Sequence, residues 1–205
     1  MSMRIHIVVF DGFDELDAIA PFEVLKNAAA AGADFQVELI SQAAEVTAAH
    51  GLKVRPSLRF PPEHPPEVLV VPGGNWNNKA STQGTRQEVQ RGELPTHIAN
   101  MHCSGTVIAG VCTGAMLIAA SGLLTGQPAI THHAAIEDLR AAGAQIVSAR
   151  VVDGGTIVTA GGVTSGLDLA LWLVERFAGS NIAQAVEVRM EYERRGTVWR
   201  SLTSG

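Results

Sequence analysis

The run Val68-Leu69-Val70-Val71 has no polar side chain on either of its faces. As a strand it has to be covered from both sides, and a parallel sheet lying between helices gives that cover. The rest of the chain fits such a sheet. Ile5 to Phe10 reads as a first buried strand, Phe35 to Ile40 as a second, and Val107 to Val111 as another. A helix begins near Asp14 or Glu15 and runs to about Ala31, with Leu16, Ile19, Ala20, Val24 and Leu25 as its apolar face. Pro21 lies inside that pattern and has to kink or split it. Leu94 to Cys103, Ala115 to Ser121, Ile136 to Ala142 and Leu167 to Ala178 are further helices, and Ser180 or Asn181 caps a last one to about Tyr192.

Shorter signals fill the gaps. Val46-Thr47 and Leu52 to Val54 flank His50-Gly51 as a small hairpin. Ala129 to Thr131, Gln145 to Val147, Val151-Val152 and Ile157 to Thr159 read as strands. The prolines at 61, 62, 65 and 66 mark a loop, because a strand resumes at once. Asn75 to Thr85 is polar and reads as a loop overhanging a site. Repeated strand-then-helix units give an α/β fold with a mostly parallel sheet covered on both faces. One domain spans residues 1–195, and residues 196–205 form a short C-terminal tail.

Chemistry concentrates where strand 107–111 ends. Val111 leads straight into Cys112, Gly114 follows, and an apolar helix begins. A side chain at such a turn projects from the carboxyl edge of the sheet, where open α/β folds build their sites. The following helix N-terminus favours a thiolate, so Cys112 is expected to have a lowered pKa and to act as a nucleophile or redox centre. Cys103, at a helix end with no strand feeding it, reads as structural.

A thiolate that attacks carbon needs hydrogen-bond donors for the charge it creates. Gly73-Gly74, directly after strand 68–71, is expected to present backbone N–H groups at the same edge, with the Thr113 N–H beside the nucleophile. A proton carrier is needed as well. Of the carboxylates Asp11, Asp14, Glu15 and Asp17, three read as solvated or capping. Asp17 lies between Leu16 and Ala18 and faces apolar surroundings, which raise a carboxyl's pKa toward neutrality. Glu23 is a second candidate. His132 or His133 can reach the same edge, either to bond the thiolate or substrate or simply as a structural histidine. Gly161 to Gly166 lacks the lysine and spacing of a phosphate loop and reads as a tight turn capped by Thr164 or Ser165.

These segments resemble a known family. Ala109-Gly110-Val111-Cys112-Thr113-Gly114-Ala115, Val71-Pro72-Gly73-Gly74, Thr131-His132 and Thr159 to Asp168 are similar to the ThiJ/PfpI superfamily, from the first strand to about Tyr192. The resemblance implies a flavodoxin-like three-layer αβα sandwich, a nucleophile elbow at Cys112 and a homodimer. Within the superfamily, Leu16 to Leu25 with Cys112-Thr113-Gly114 looks most like the isonitrile hydratase branch. That branch implies Cys112 as the nucleophile on the isonitrile carbon, Asp17 as general acid and base, and Thr113 assisting. Its product is an N-substituted formamide. The chain departs from the branch at Ala20-Pro21, usually Gly-Pro, and at His133, usually Trp, and both changes bear on the pocket wall.

Other activities are weighed on the same residues. A peptidase of this superfamily carries His after its cysteine, and here Thr113 stands there. A glyoxalase-like or deglycase-like enzyme would use the same nucleophile and acid. A redox or small-molecule sensor is the non-enzymatic alternative. The regulator form carries a DNA-binding module, and only thirteen residues follow Tyr192. A net charge of −5 gives no footprint for nucleic acid. With 46% hydrophobic and 17% charged residues, the chain has the make-up of a well-buried globule. Its apolar runs are too short for a membrane span or a signal core. Two cysteines make neither a disulfide framework nor a zinc spacing, which points to the cytoplasm and to no metal. No organic cofactor is implied, and the expected partner is a small-molecule substrate.

Overall fold

The apolar run at 68–71 lies inside an eight-stranded sheet. The computed structural model describes residues 2–201. In chain order its first elements are β1 (Met3–Val8), α1 (Glu15–Ala30), β2 (Phe35–Ser41), β3 (Val46–Thr47), β4 (Lys53–Val54), β5 (Leu58–Arg59) and β6 (Val68–Val71). There follow α2 (Thr85–Arg91), α3 (Glu93–Cys103), β7 (Val107–Val111), α4 (Gly114–Ala120), β8 (Pro128–Ala129), a 3-10 turn (His133–Ala135) and α5 (Ile136–Ala141). The last are β9 (Gln145–Ile146), β10 (Val151–Asp153), β11 (Ile157–Ala160), α6 (Ser165–Ala178), α7 (Ser180–Met190) and β12 (Val198–Arg200).

The strand order is β12-β10-β11-β7-β6-β1-β2-β5. Every pairing is parallel except β10 with β11. Helices α1, α6 and α7 pack together on one side, and α2, α3 and α4 on the other. The three-layer sandwich follows, with β6 fully buried between its neighbours β1 and β7. Strand order reverses at β1: β2 lies on one side of it and β6 on the other. The crevice at the carboxyl ends of such strands is where ligands bind in open sheets. No helix is long and apolar enough to cross a membrane among the described residues.

Several local expectations change. Leu16 is exposed, and α1 instead buries Asp17, Pro21, Val24 and Ala28, so the carboxylate heads the inward stripe at helical spacing. Pro21 does not split α1. Having no N–H, it leaves the Asp17 carbonyl four residues back without its helical donor. Its ring packs at the start of α6, where a Cβ added to Gly166 would lie 3.4 Å from Pro21 Cδ. The polar loop gives way to α2 at Thr85, and residues 198–200 of the expected tail form β12 beside β10. Neither Thr164 nor Ser180 caps its helix through a side chain, because Gly179 occupies the cap position of α7 and Thr164 Oγ1 accepts from Arg150 instead.

Candidate active site

Strand β7 carries Cys112 to the sheet edge and leaves it in a left-handed conformation, φ +54°. A non-glycine residue there is uncommon and marks a position held by its surroundings. The Cys112 N–H donates to the Ala160 and Gly161 carbonyls at 3.2 and 3.0 Å. Its own carbonyl accepts from Thr131 Oγ1 at 2.8 Å. The turn is therefore pinned from the end of β11 and from the segment after β8.

The thiol is buried, with Cys112 only 6% exposed. The backbone N–H groups of Val163 and Thr113 approach the sulfur, and the Asp17 carboxyl lies beside it. Burial, reinforced by the Asp17 carboxylate, pushes the thiol up to about 12. This reverses the lowered pKa expected at a helix N-terminus. Helix α4 has only seven residues, and its field is outweighed by lost hydration and a neighbouring carboxylate.

Asp17 has no exposed surface at all. Its Oδ2 accepts the Gly73 N–H at 3.0 Å, while Oδ1 has no hydrogen-bond partner among the described residues. The Cys112 thiol is close enough to bear on this carboxyl. Burial, with a smaller contribution from Asp14, pushes the carboxyl up to about 8, the direction its apolar setting predicts. Glu23 is exposed on α1 and bonds Asn27, away from this pair.

The glycine turn does something other than expected. The Gly73 N–H is taken by Asp17, and the Gly74 N–H donates to Thr113 Oγ1 at 3.0 Å. Neither N–H is left for a substrate oxyanion. Close packing fixes the residue type: a Cβ at Gly73 would come within 2.3 Å of Thr113 Oγ1. The Thr113 hydroxyl also meets Thr85 Oγ1 at 3.4 Å, so the start of α2 buttresses the turn after β6. The backbone N–H groups of Thr113 and Val163 are the ones that favour a thiolate at this centre.

Above the sulfur is a cleft of about 250 Å³, lined by Cys112, Thr113, Val163, His132 and the loop from Gly74 to Asn78, with Asp14 at its side. His132 Nδ1 accepts from the Ala134 N–H at 3.2 Å. That fixes the neutral tautomer with the proton on Nε2. Burial and the adjacent His133 lower its pKa, in keeping with an uncharged ring. His133 itself is exposed and stacks on His132, with centroids 4.1 Å apart. The overhanging loop is clamped: Trp76 Nε1 donates to Asp138 at 2.6 Å, and the Arg86 guanidinium stacks 4.2 Å over the indole. Cys103 is exposed at the end of α3.

The profile of the DJ-1/PfpI family matches residues 3–176. The chain belongs to the DJ-1/PfpI family. It is 32% identical over 193 residues to the isonitrile hydratase of Pseudomonas putida, covering 94% of this chain and 79% of that one. It is 28% identical over 160 residues to a deglycase of Pyrococcus abyssi, covering 77% of this chain and 89% of the other. Among solved structures, a ThiJ/PfpI family protein of Pseudomonas syringae superposes with a TM-score of 0.82 at 26% identity, covering 95% of this chain and 77% of that one.

In this DJ-1/PfpI chain the expected residues Asp17, Cys112, Thr113 and Gly73 form one buried cluster, with His132 across the cleft. Sequence reasoning missed Thr85, Val163 and the clamp residues Arg86 and Asp138. The asparagines at 75, 77 and 78 were visible as composition only. Asp14 appeared only as a helix cap, and it is one: its Oδ1 accepts from the Leu16 N–H.

Proposed function

We propose that this DJ-1/PfpI protein is a cysteine-dependent hydratase of small electrophiles, and that it converts isonitriles to N-substituted formamides. The observation that carries the reading is Cys112 lining a small cleft with the fully buried Asp17 carboxyl behind it. The similarity to the P. putida isonitrile hydratase supports it. Hydration of an isonitrile adds a nucleophile and a proton to the same carbon, and this pair is suited to supply both.

When the pair holds one proton it rests mainly on sulfur, and the reacting form is the minor arrangement in which Asp17 carries it and the sulfur is a thiolate favoured by the Thr113 and Val163 N–H groups. The sulfur attacks the terminal isonitrile carbon and a C–S bond forms. The Asp17 proton passes to that carbon, giving a thioimidate, R–N=CH–S–Cys112. Water then adds to the same carbon. One of its protons ends on nitrogen and the other returns to the pair as the C–S bond breaks. The products are R–NH–CHO and the pair as it began. The neutral His132 supplies an Nε2–H donor for the adding water or the substrate nitrogen.

A deglycase-like reaction on an aldehyde is the second reading, favoured by the similarity to the P. abyssi enzyme. A redox sensor fits less well, since sensor thiols are exposed and acidic whereas this one is buried and pushed up. The test is turnover of a simple alkyl isonitrile, read as formamide by NMR, beside methylglyoxal, for wild type, Cys112→Ala and Asp17→Asn. Formamide from wild type alone supports the hydratase. Turnover of methylglyoxal without formamide moves the assignment to the aldehyde reaction.

A further inference from the structure

One charged lining residue has no part in the steps above. Asp14 sits beside the cleft as the cap of α1. Only one of its carboxylate oxygens is bonded, to the Leu16 N–H at 3.2 Å. Among the lining residues it is the only fixed charge: the others are glycine, threonine, valine, tryptophan, three asparagines, the thiol and an uncharged His132. Neither Lys nor Arg is in the lining. The nearby Arg86 is engaged by the Trp76 face, the Trp76 carbonyl and Asp138. The field of Asp14 reaches the reacting atoms, because it adds to the upward shifts of both Asp17 and Cys112.

We infer that the cleft selects its substrate by charge. It takes small neutral or cationic electrophiles that carry a hydrogen-bonding group, and it turns away anions, with Asp14 as the discriminating residue. An anion entering here meets a carboxylate and no cation, whereas an ammonium or amide N–H meets Asp14 and the asparagine side-chain carbonyls. A volume of about 250 Å³ seats roughly ten heavy atoms of a ligand. The inference rests on Cys112 being the reacting group, as in the proposed function, but not on the hydration step.

The test alkylates Cys112 with iodoacetamide, which is neutral, and iodoacetate, which is an anion, in a Cys103→Ser background. In both reactions the thiolate displaces iodide from a methylene carbon, forming C–S and breaking C–I. The readout is the ratio of the iodoacetate rate to the iodoacetamide rate. Asp14→Asn keeps a competent helix cap and removes the charge. Loss of Asp14 also eases thiolate formation, but that raises both rates and cancels in the ratio. The ratio is expected to rise about fivefold in Asp14→Asn. In wild type it should rise with salt between 20 mM and 0.5 M more steeply than it does for the thiolate of 2-mercaptoethanol, as Asp14 is screened along with the sulfur. A ratio unmoved in Asp14→Asn, or a salt rise no steeper than that of the small thiol, overturns the inference, and the salt comparison stands even if the variant fails to fold. Hydration of methyl isocyanide and of isocyanoacetate is measured alongside. No formamide from either sinks the hydratase reading and leaves the alkylation ratio to judge charge selection.

Discussion

The backbone N–H of Gly73 lies 3.0 Å from Asp17 Oδ2, joining the turn after β6 to the first turns of α1 across the switch point of the sheet. The turn that looks like an oxyanion cradle holds the Asp17 carboxyl instead. Gly73→Ala would drive a Cβ within 2.3 Å of Thr113 Oγ1 and 2.5 Å of the Thr113 N. We expect a loss of stability of about 2 kcal/mol or more in urea melts, with Cys112 alkylation altered in the protein that still folds.

Proton sharing between Asp17 and Cys112 has a kinetic signature. Asp17 is pushed up to about 8, so at neutral pH most molecules hold protons on both groups. The rate of iodoacetamide reaction at Cys112 should climb through about pH 8 as the first proton leaves the pair. Asp17→Asn should erase that inflection while keeping an acceptor for the Gly73 N–H. An unchanged profile in the variant would show that the two groups do not titrate together.

The same shift links to stability. Asp17 binds its proton more tightly folded than unfolded, so between about pH 4 and pH 8 the native state holds the extra proton. Its contribution is whole below the unfolded carboxyl range and declines as pH rises through the folded value, by about 1 kcal/mol per pH unit. The melting temperature of wild type should therefore fall from pH 5 to pH 8 relative to that of Asp17→Asn. Parallel melting curves for the two proteins would contradict the burial argument.

Thr113 is a positioning residue through its hydroxyl. Thr113→Val removes the acceptor of the buried Gly74 N–H and the partner of Thr85. The expected cost is about 1–3 kcal/mol. Thr113→Ser, which restores the hydroxyl, should recover most of the stability and of the hydration rate. A Val variant as stable as wild type would show that the turn does not depend on this bond.

The loop over the cleft is held from two sides, so Asp138→Ala should act on binding. It removes the acceptor of Trp76 Nε1 and a partner of Arg86. We expect KM for the isonitrile to rise several-fold with kcat nearly unchanged, which steady-state kinetics can read.

The sandwich was legible because its signals are local. Val68–Val71 has to be covered on both faces, and Val111-Cys112-Thr113-Gly114 marks an edge where a strand meets a helix. The buried place of Asp17 was legible too, although the stripe it heads is 17, 21, 24 and 28 rather than the one through Leu16. Helix α2 escaped because only Thr85 and Glu88 are buried in its seven residues, which leaves no apolar period to read. Strand β12 escaped because it is a three-residue edge strand with two exposed side chains. The donors were misassigned for a different reason. Whether Gly73 and Gly74 are free depends on side chains 56 and 39 residues away, and no local pattern carries that. The thiol's pKa turned first on its burial and then on the same distant carboxylate.

The left-handed backbone at Cys112 has a consequence for how this protein tolerates change. A β-carbon at φ +54° is held against its own preference, at about 1 kcal/mol or more. Glycine would sit there without that strain. Random mutation screened for heat resistance alone would drift toward an inert chain at this codon, and a stabilised lineage would keep its cysteine only while its reaction is under selection.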